Sequence, residues 1–197
     1  MKTPRGIEQL KKTVTDMVLI PDNEWEVFVQ HLSVRTFEEK EYLVRAGDVI
    51  KNFYFIVNGI MRFFYSTEDG KEFNKHFAME NGIAGSLYSF LTESPCDFSI
   101  QALEKTETIV LPDLTTLNYF HDRHPCWERL SRRNAESLVF IKEAREKELL
   151  LDSLAVRYQR FLREFPGLSE RIAQYHTASF LGVTDVALSR TRQKIIQ

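Results

Sequence analysis

Cysteine is scarce in this 197-residue chain, which holds only Cys96 and Cys126. Two well-separated thiols build neither a disulfide framework nor a zinc-ligand pattern, so a reducing cytoplasm is the expected compartment and no cofactor is expected. Long apolar runs are missing too. The opening MKTPRGIEQLKK lacks the apolar core of a signal peptide, which leaves no role for a membrane. There are no internal repeats and no low-complexity tract. Charge of one sign is also lacking: the net charge is only −2.

What the chain does have is aromatic core material, with 15 Phe and 7 Tyr in a composition that is 43% hydrophobic. Ile7, Leu10, Val14 and Met17 share one helical face within residues 7–20. After Pro21 and a cap at Asp22 or Asn23, Trp25, Phe28, Val29 and Leu32 repeat the pattern. Two short amphipathic helices are expected, covering the mouth of a sheet. Residues 34–112 then alternate short apolar runs with turn signals. Asn58-Gly59, between FYFIV and IMRFFYS, reads as a tight hairpin; Glu68-Asp69-Gly70 and Glu80-Asn81-Gly82 read as further turns. DFSIQAL and ETIVLP add two strands joined across Glu104-Lys105-Thr106. About eight short strands predict a double-stranded β-roll rather than a parallel sheet. Its single histidine, His76, falls short of the clustered ligands that a metal-dependent roll enzyme needs, so no catalytic residue is expected.

Asp113–Phe120 reads as a short helix, and a long one follows Pro125. Trp127, Leu130, Asn134, Leu138, Ile141 and Ala144 lie near one stripe of it, flanked by dense mixed charge. One roll is too small to bury the whole stripe. A homodimer through Leu130, Asn134, Leu138 and Ile141 is the economical expectation; the alternative is a helix lying on its own roll. Asp152 is expected to open a further helix carrying Leu154, Tyr158, Phe161, Leu162 and Phe165, stopped by Pro166-Gly167. The cluster His121, Asp122, His124 and Cys126 reads as solvated surface rather than a metal site.

The most informative stretch is QYHTASFLGVTDVALSRTRQ, residues 174–193. Ala178, Gly182 and Leu188 have the spacing of a helix-turn-helix: a small residue for close crossing, a glycine for the turn, an aliphatic to lock the pair. Leu181 and Val183 supply the apolar seam. Thr184 is placed as N-cap, and Asp185 suits the first turn of the second helix. From there Val186, Ser189, Arg190 and Gln193 fall on one outward face, with Lys194 beyond them, as in a helix that reads base edges. Residues 171–197 carry Arg171, Arg190, Arg192 and Lys194 against the single acid Asp185. This local +3 leaves −5 for the rest of a chain whose total is −2. A basic end on an acidic body suits phosphate contact by one face.

This segment, VTDVALSRTRQKI above all, resembles the DNA-binding end of the Crp/Fnr bacterial transcription regulators. RAGD (45–48) and FYFIVNGIMRFFY (53–65) are similar to that family's early roll strands, and the order of elements resembles it over nearly the whole chain. The resemblance implies an α+β chain in three parts. Residues 1–124 would be an effector-sensing roll, 125–150 a dimerisation helix, and 151–197 a helical winged-helix/helix-turn-helix domain. It implies a homodimer on a palindromic double-stranded DNA operator, with RNA polymerase as a further partner. In cyclic-nucleotide-binding members a Gly-Glu pair holds the ribose and, about ten residues on, an Arg-Ser pair holds the phosphate. Here Gly85-Ser86 and Phe98-Ser99 stand there, and no arginine occurs from residue 63 to 122. Only Lys71 or Lys75 offers a nearby cation, so the effector is unknown or absent. An iron–sulfur sensor is excluded by the lack of cysteine in the first 95 residues. Ser189-Arg190 match the family's Ser-Arg readout pair, in which the arginine contacts guanine. Val186 replaces a common glutamate and would meet a thymine methyl instead. The rival reading is a small-molecule-sensing roll that acts through protein contacts, its DNA domain degenerate.

Overall fold

The structure, a computed structural model, describes residues 4–196. Its elements run α1 (Pro4–Met17), α2 (Asp22–Gln30), β1 (Ser33–Phe37), β2 (Tyr42–Val44), β3 (Tyr54–Asn58), β4 (Met61–Ser66), β5 (Glu72–Ala78), β6 (Ile83–Ala84), α3 (Leu87–Thr92), β7 (Ser99–Ala102), β8 (Thr106–Val110), α4 (Leu114–Arg123), α5 (Pro125–Leu151), α6 (Leu154–Glu164), α7 (Leu168–Arg171), α8 (Gln174–Leu181) and α9 (Asp185–Ile196). The mixed α+β architecture and the eight-stranded antiparallel roll expected from the sequence are present. The chain forms two compact units. One joins the residues up to Phe63 with Phe77–Ala135; the other joins Phe64–His76 with the residues from Glu136 on.

The first unit holds the roll except for Phe64–His76, the end of β4 and most of β5. The roll's strands make two four-stranded sheets, ordered β1-β8-β3-β6 and β2-β7-β4-β5. β8 lies between β1 and β3, with Phe37 opposite Thr106 and Tyr54 opposite Val110. Alternation along each strand sends Tyr54, Ile56, Met61, Phe63, Ile100 and Ala102 into one apolar core. Phe55 and Ile109 face the other way and meet Leu10, Val14, Trp25, Phe28, Phe120 and Trp127. The two N-terminal helices therefore cover a sheet face, not its mouth. Phe28 stacks on Trp127 at 4.5 Å and meets Phe120 edge-on at 5.3 Å. Beneath them the buried Glu24 carboxylate accepts from Trp127 Nε1 (3.1 Å) and from Arg123 Nε (3.0 Å). Burial works against its ionisation, but these donors outweigh it and hold its pKa below the usual carboxylate range.

The Asn58-Gly59 turn departs from expectation. β3 and β4 belong to different sheets, so this turn is a corner between layers and not a hairpin. Gly59 has φ +111°, and a Cβ there would lie 2.7 Å from Thr106 Cα. The glycine is needed both for its backbone and for this close approach. The hairpin sits one connection later, at β4–β5, where Gly70 (φ +81°) donates to the Thr67 carbonyl.

The second unit joins that hairpin's tip to helices. Phe161, Phe165 and Phe180 form its aromatic centre, with ring separations of 5.5 and 5.6 Å. Leu168, Leu181 and Leu188 are fully buried around them. The N-cap of α6 is Ser153, whose side chain accepts from Val156 N–H, rather than Asp152. Asp152 instead pairs with Arg160 at 2.9 Å.

Candidate nucleic-acid interface and effector cassette

The helix-turn-helix forms as its spacing dictates. At the end of α8, Gly182 adopts the left-handed conformation (φ 69°, ψ 34°). Val183 N–H reaches back to the Ala178 carbonyl (3.0 Å) and Gly182 N–H to that of Ser179 (3.1 Å). These two bonds are the Schellman closure, which satisfies the last carbonyls of a helix and sets the exit angle of the chain. Ala178 and Leu188 are buried at the crossing. Thr184 Oγ1 accepts from Ala187 N–H (3.3 Å) and so caps α9; Asp185, exposed, follows in the first turn. Gln174 braces the two helices, donating to the Asp185 carbonyl (3.2 Å) and accepting from Arg192 (3.1 Å). Arg192, counted in the basic balance, is thus committed to the scaffold.

Two further arginines support the turn from behind. Arg157 of α6 donates to the Leu181 carbonyl (2.7 Å), and Arg145 of α5 donates to the Phe180 carbonyl while lying over the Phe180 ring. Cations at a helix C-terminus complement its partial negative charge. Arg145 is balanced in turn by the buried Glu148 at 2.7 Å. Burial raises the pKa of Glu164 nearby.

With the scaffold engaged, the outward face of α9 remains available. Val186 is 59% exposed. Arg190, Gln193 and Lys194 are exposed, and Ser189 is half-buried. Neither Arg190 nor Lys194 makes an ion pair or side-chain hydrogen bond among the described residues. The structure places Asp185, Val186, Ser189, Arg190, Gln193 and Lys194 on one short helix, with Thr184 as its cap.

The cassette expected around an effector is differently employed. Gly85 is pressed against the Phe53 ring, where a Cβ would lie 2.2 Å from Cδ1. Ser86 is buried and caps α3, accepting from Ser89 N–H. The Ser89 hydroxyl in turn accepts from Ile50 N–H (3.0 Å) and donates to the Ser94 carbonyl (2.6 Å). Ser99 accepts from Ala46 N–H (3.0 Å). Phe98 packs on the roll core, 6.0 Å from the Phe63 ring. All these hydroxyls serve the protein's own backbone. Lys71 pairs with Asp69 at 2.7 Å, and Lys75 donates to Tyr65 at 3.0 Å.

Comparison with known proteins locates this arrangement. Residues 34–122 match the cyclic nucleotide-binding domain family. No curated protein matches the sequence. Among solved structures, FixK2 from Bradyrhizobium japonicum is 16% identical with a TM-score of 0.71, over 83% of this chain and 84% of that one. The c-di-GMP-responsive global regulator CLP of Xanthomonas campestris is 15% identical with a TM-score of 0.66, over 89% and 91%. The catabolite activator protein of Thermus thermophilus is 20% identical with a TM-score of 0.51, over 90% and 84%. The chain has the Crp/Fnr fold.

In this Crp/Fnr-fold chain α5 is one continuous helix of 27 residues. Its first turns are occupied: Trp127 is buried, Leu130 packs on the same cluster, and Asn134 bonds back to the Leu130 carbonyl (3.1 Å). Further along, Leu138 and Ile141 are exposed. So are Val139, Phe140 (66%), Leu149, Leu150 and Leu151, which the stripe template passed over. The cluster at the α4–α5 junction is not simply solvated. Cys126 is buried with its thiol pKa pushed up by desolvation, and its N–H donates to His124 Nδ1 (3.2 Å). His121 meets Ser131 Oγ at 2.8 Å. Both cysteines are free and buried. Among the described residues no group of His, Cys, Asp and Glu is arranged to hold a metal, and no helix is long and apolar enough to cross a membrane.

Proposed function

We propose that this chain is a DNA-binding transcription regulator that works as a homodimer on a palindromic operator. The observation that carries the reading is the exposed face of α9, on which Arg190 and Lys194 make no ion pair or side-chain hydrogen bond among the described residues, while Gln174, Thr184 and Arg192 are engaged in the helix-turn-helix itself. Arg190, with Ser189 beside it, reads a guanine edge; Val186 meets a thymine methyl; Lys194 neutralises phosphate. Thr184 and Asp185 set the start of the helix, and Gln193 extends the reading face.

Two copies pair through α5, because Leu138 and Ile141, with Phe140 and Leu149–Leu151, leave a large apolar surface bare on one helix. The functional division is then 1–124 for the roll, 125–150 for dimerisation and 151–197 for DNA binding, with RNA polymerase as a further partner. The roll no longer binds cyclic nucleotides in the family's manner. At the two anchor positions Ser86 caps its own helix and the half-buried Phe98 packs against the core, and a buried phosphate lacking its bidentate guanidinium is strongly disfavoured. The chemistry is recognition, not catalysis.

Selection of duplexes from a random pool by the purified chain at a stated salt concentration tests the reading. The expected product is an inverted repeat with half-sites about one helical turn apart. Recovery of unrelated duplexes with no shared repeat would leave only the rival reading, a roll that signals through protein contacts.

A further inference from the structure

Within the second unit, the first helix of the helix-turn-helix closes an open sheet edge. β5 is the outermost strand of its sheet, flanked by β4 on one side and by no further strand of that sheet among the described residues on the other. Such an edge must be covered or blunted. One hydroxyl of α8 does this: Ser179 Oγ accepts from Asn74 N–H at 2.9 Å and donates to the Glu72 carbonyl at 3.1 Å. Residues two apart on a strand point the same way, so one side chain supplies the donor and the acceptor that a neighbouring strand would have offered. The Asn74 side chain completes the joint. Its Nδ2 donates to the His176 carbonyl at 3.0 Å and lies 3.2 Å from His176 Nδ1. Asn74 and His176 are only 6% and 5% exposed, so the joint is dry and directional. Alongside it, the His76 ring lies edge-on to Phe165 at 5.9 Å.

We propose that Asn74 and Ser179 are positioning residues for DNA reading: they fix the attitude of α8 and, through the Schellman turn at Gly182, that of α9. This rests on the DNA-binding function proposed above. Apolar contact alone lets a helix slide and rotate, whereas polar bonds to a strand edge specify one register. The reading face of α9 stays exposed while the joint is closed, so the closed joint is the binding-competent arrangement. Opening it spreads α8 over other attitudes, and apparent affinity falls in proportion to the fraction left competent.

The test compares the full-length chain with its Ser179→Ala, Asn74→Ala and Ser179→Thr variants. The probes are the duplex that the wild type selects from a random pool and a scrambled duplex of equal length. Ser179→Ala and Asn74→Ala are expected to bind the selected duplex about tenfold more weakly, as one-tenth occupancy of the competent attitude implies. Affinity for the scrambled duplex and the slope of affinity against salt should hold, because phosphate contacts are untouched. Ser179→Thr keeps the hydroxyl and should keep wild-type discrimination, which separates positioning from a general loss of folding. Equal losses on both duplexes, unchanged discrimination in Ser179→Ala, or tighter binding by either alanine variant would each overturn the positioning role while leaving the proposed function standing. A wild type that selects no duplex would overturn both.

Discussion

Gly85→Ala probes whether the cassette is filled by the protein itself. An ideal Cβ at residue 85 would lie 2.2 Å from Phe53 Cδ1 and 2.6 Å from Cε1. Carbon atoms in contact settle at about 3.5–4.0 Å, so the ring has to withdraw by more than an ångström. Phe90 stands behind it with ring centroids 4.8 Å apart, which limits that retreat. Overpacking of this kind costs about 1–3 kcal/mol. The φ of Gly85 is not among the positive ones, so the alanine backbone itself is unstrained. With the ring removed, Gly85→Ala should even stabilise by about 0.4–1 kcal/mol, by restricting the unfolded chain. The effect of one methyl group is therefore predicted to change sign between the wild-type and Phe53→Ala backgrounds. Urea unfolding followed by tryptophan fluorescence suits the measurement, since Trp25 and Trp127 are both buried in the first unit. Equal costs in both backgrounds would show that the ring does not fill the space beside Gly85.

Calorimetric titration with millimolar cyclic AMP or cyclic GMP should show no saturable heat; a dissociation constant in the low micromolar range would refute the assignment of Ser86 and Phe98 to the vanished anchors. Leu138→Glu with Ile141→Glu should convert dimers to monomers in light scattering and weaken duplex binding, and a wild type that is monomeric at micromolar concentration would contradict the α5 pairing. Desolvation, reinforced by the charges of Lys75 and Arg145, lowers the pKa of His76 from 6.5 to about 4. The folded state thus resists a proton that the unfolded chain takes up, so stability is full above about pH 6.5 and falls by roughly 1 kcal/mol per unit towards pH 4. His76→Phe should flatten that part of the profile, measured by urea unfolding at each pH, and an unchanged slope would show that another group titrates.

Local chemistry made the helices legible. The α9 cap at Thr184, the Gly182 turn and the Ala178–Leu188 crossing all lie within a dozen residues, and every one forms. Pairing between distant strands was less legible. Asn58-Gly59 announces a turn in either case, but whether β3 and β4 then pair or part depends on Thr106, which comes to lie against Gly59 only in the folded roll. The Asn74–His176 contact spans 102 residues and follows no periodicity, so no sequence pattern announces it. On α5 a stripe template selected Leu138 and Ile141 but passed over Phe140, because a helix bare over several turns exposes apolar side chains all round. Asp152 and Ser153 are both good capping residues, and the choice between them was made by Arg160, eight positions after Asp152.

Paired substitutions on α9 test the central claim most directly. Fluorescence anisotropy with the selected duplex and a scrambled one, over a range of salt, compares Arg190→Ala with Lys194→Ala. If α9 reads bases, Arg190→Ala loses about 1–3 kcal/mol on the selected duplex only and relaxes preference at one base pair. Lys194→Ala then weakens both duplexes alike and flattens the salt slope by about one unit. Equal losses on the two duplexes for Arg190→Ala, or no loss on either, would contradict the assignment of α9 as the recognition helix.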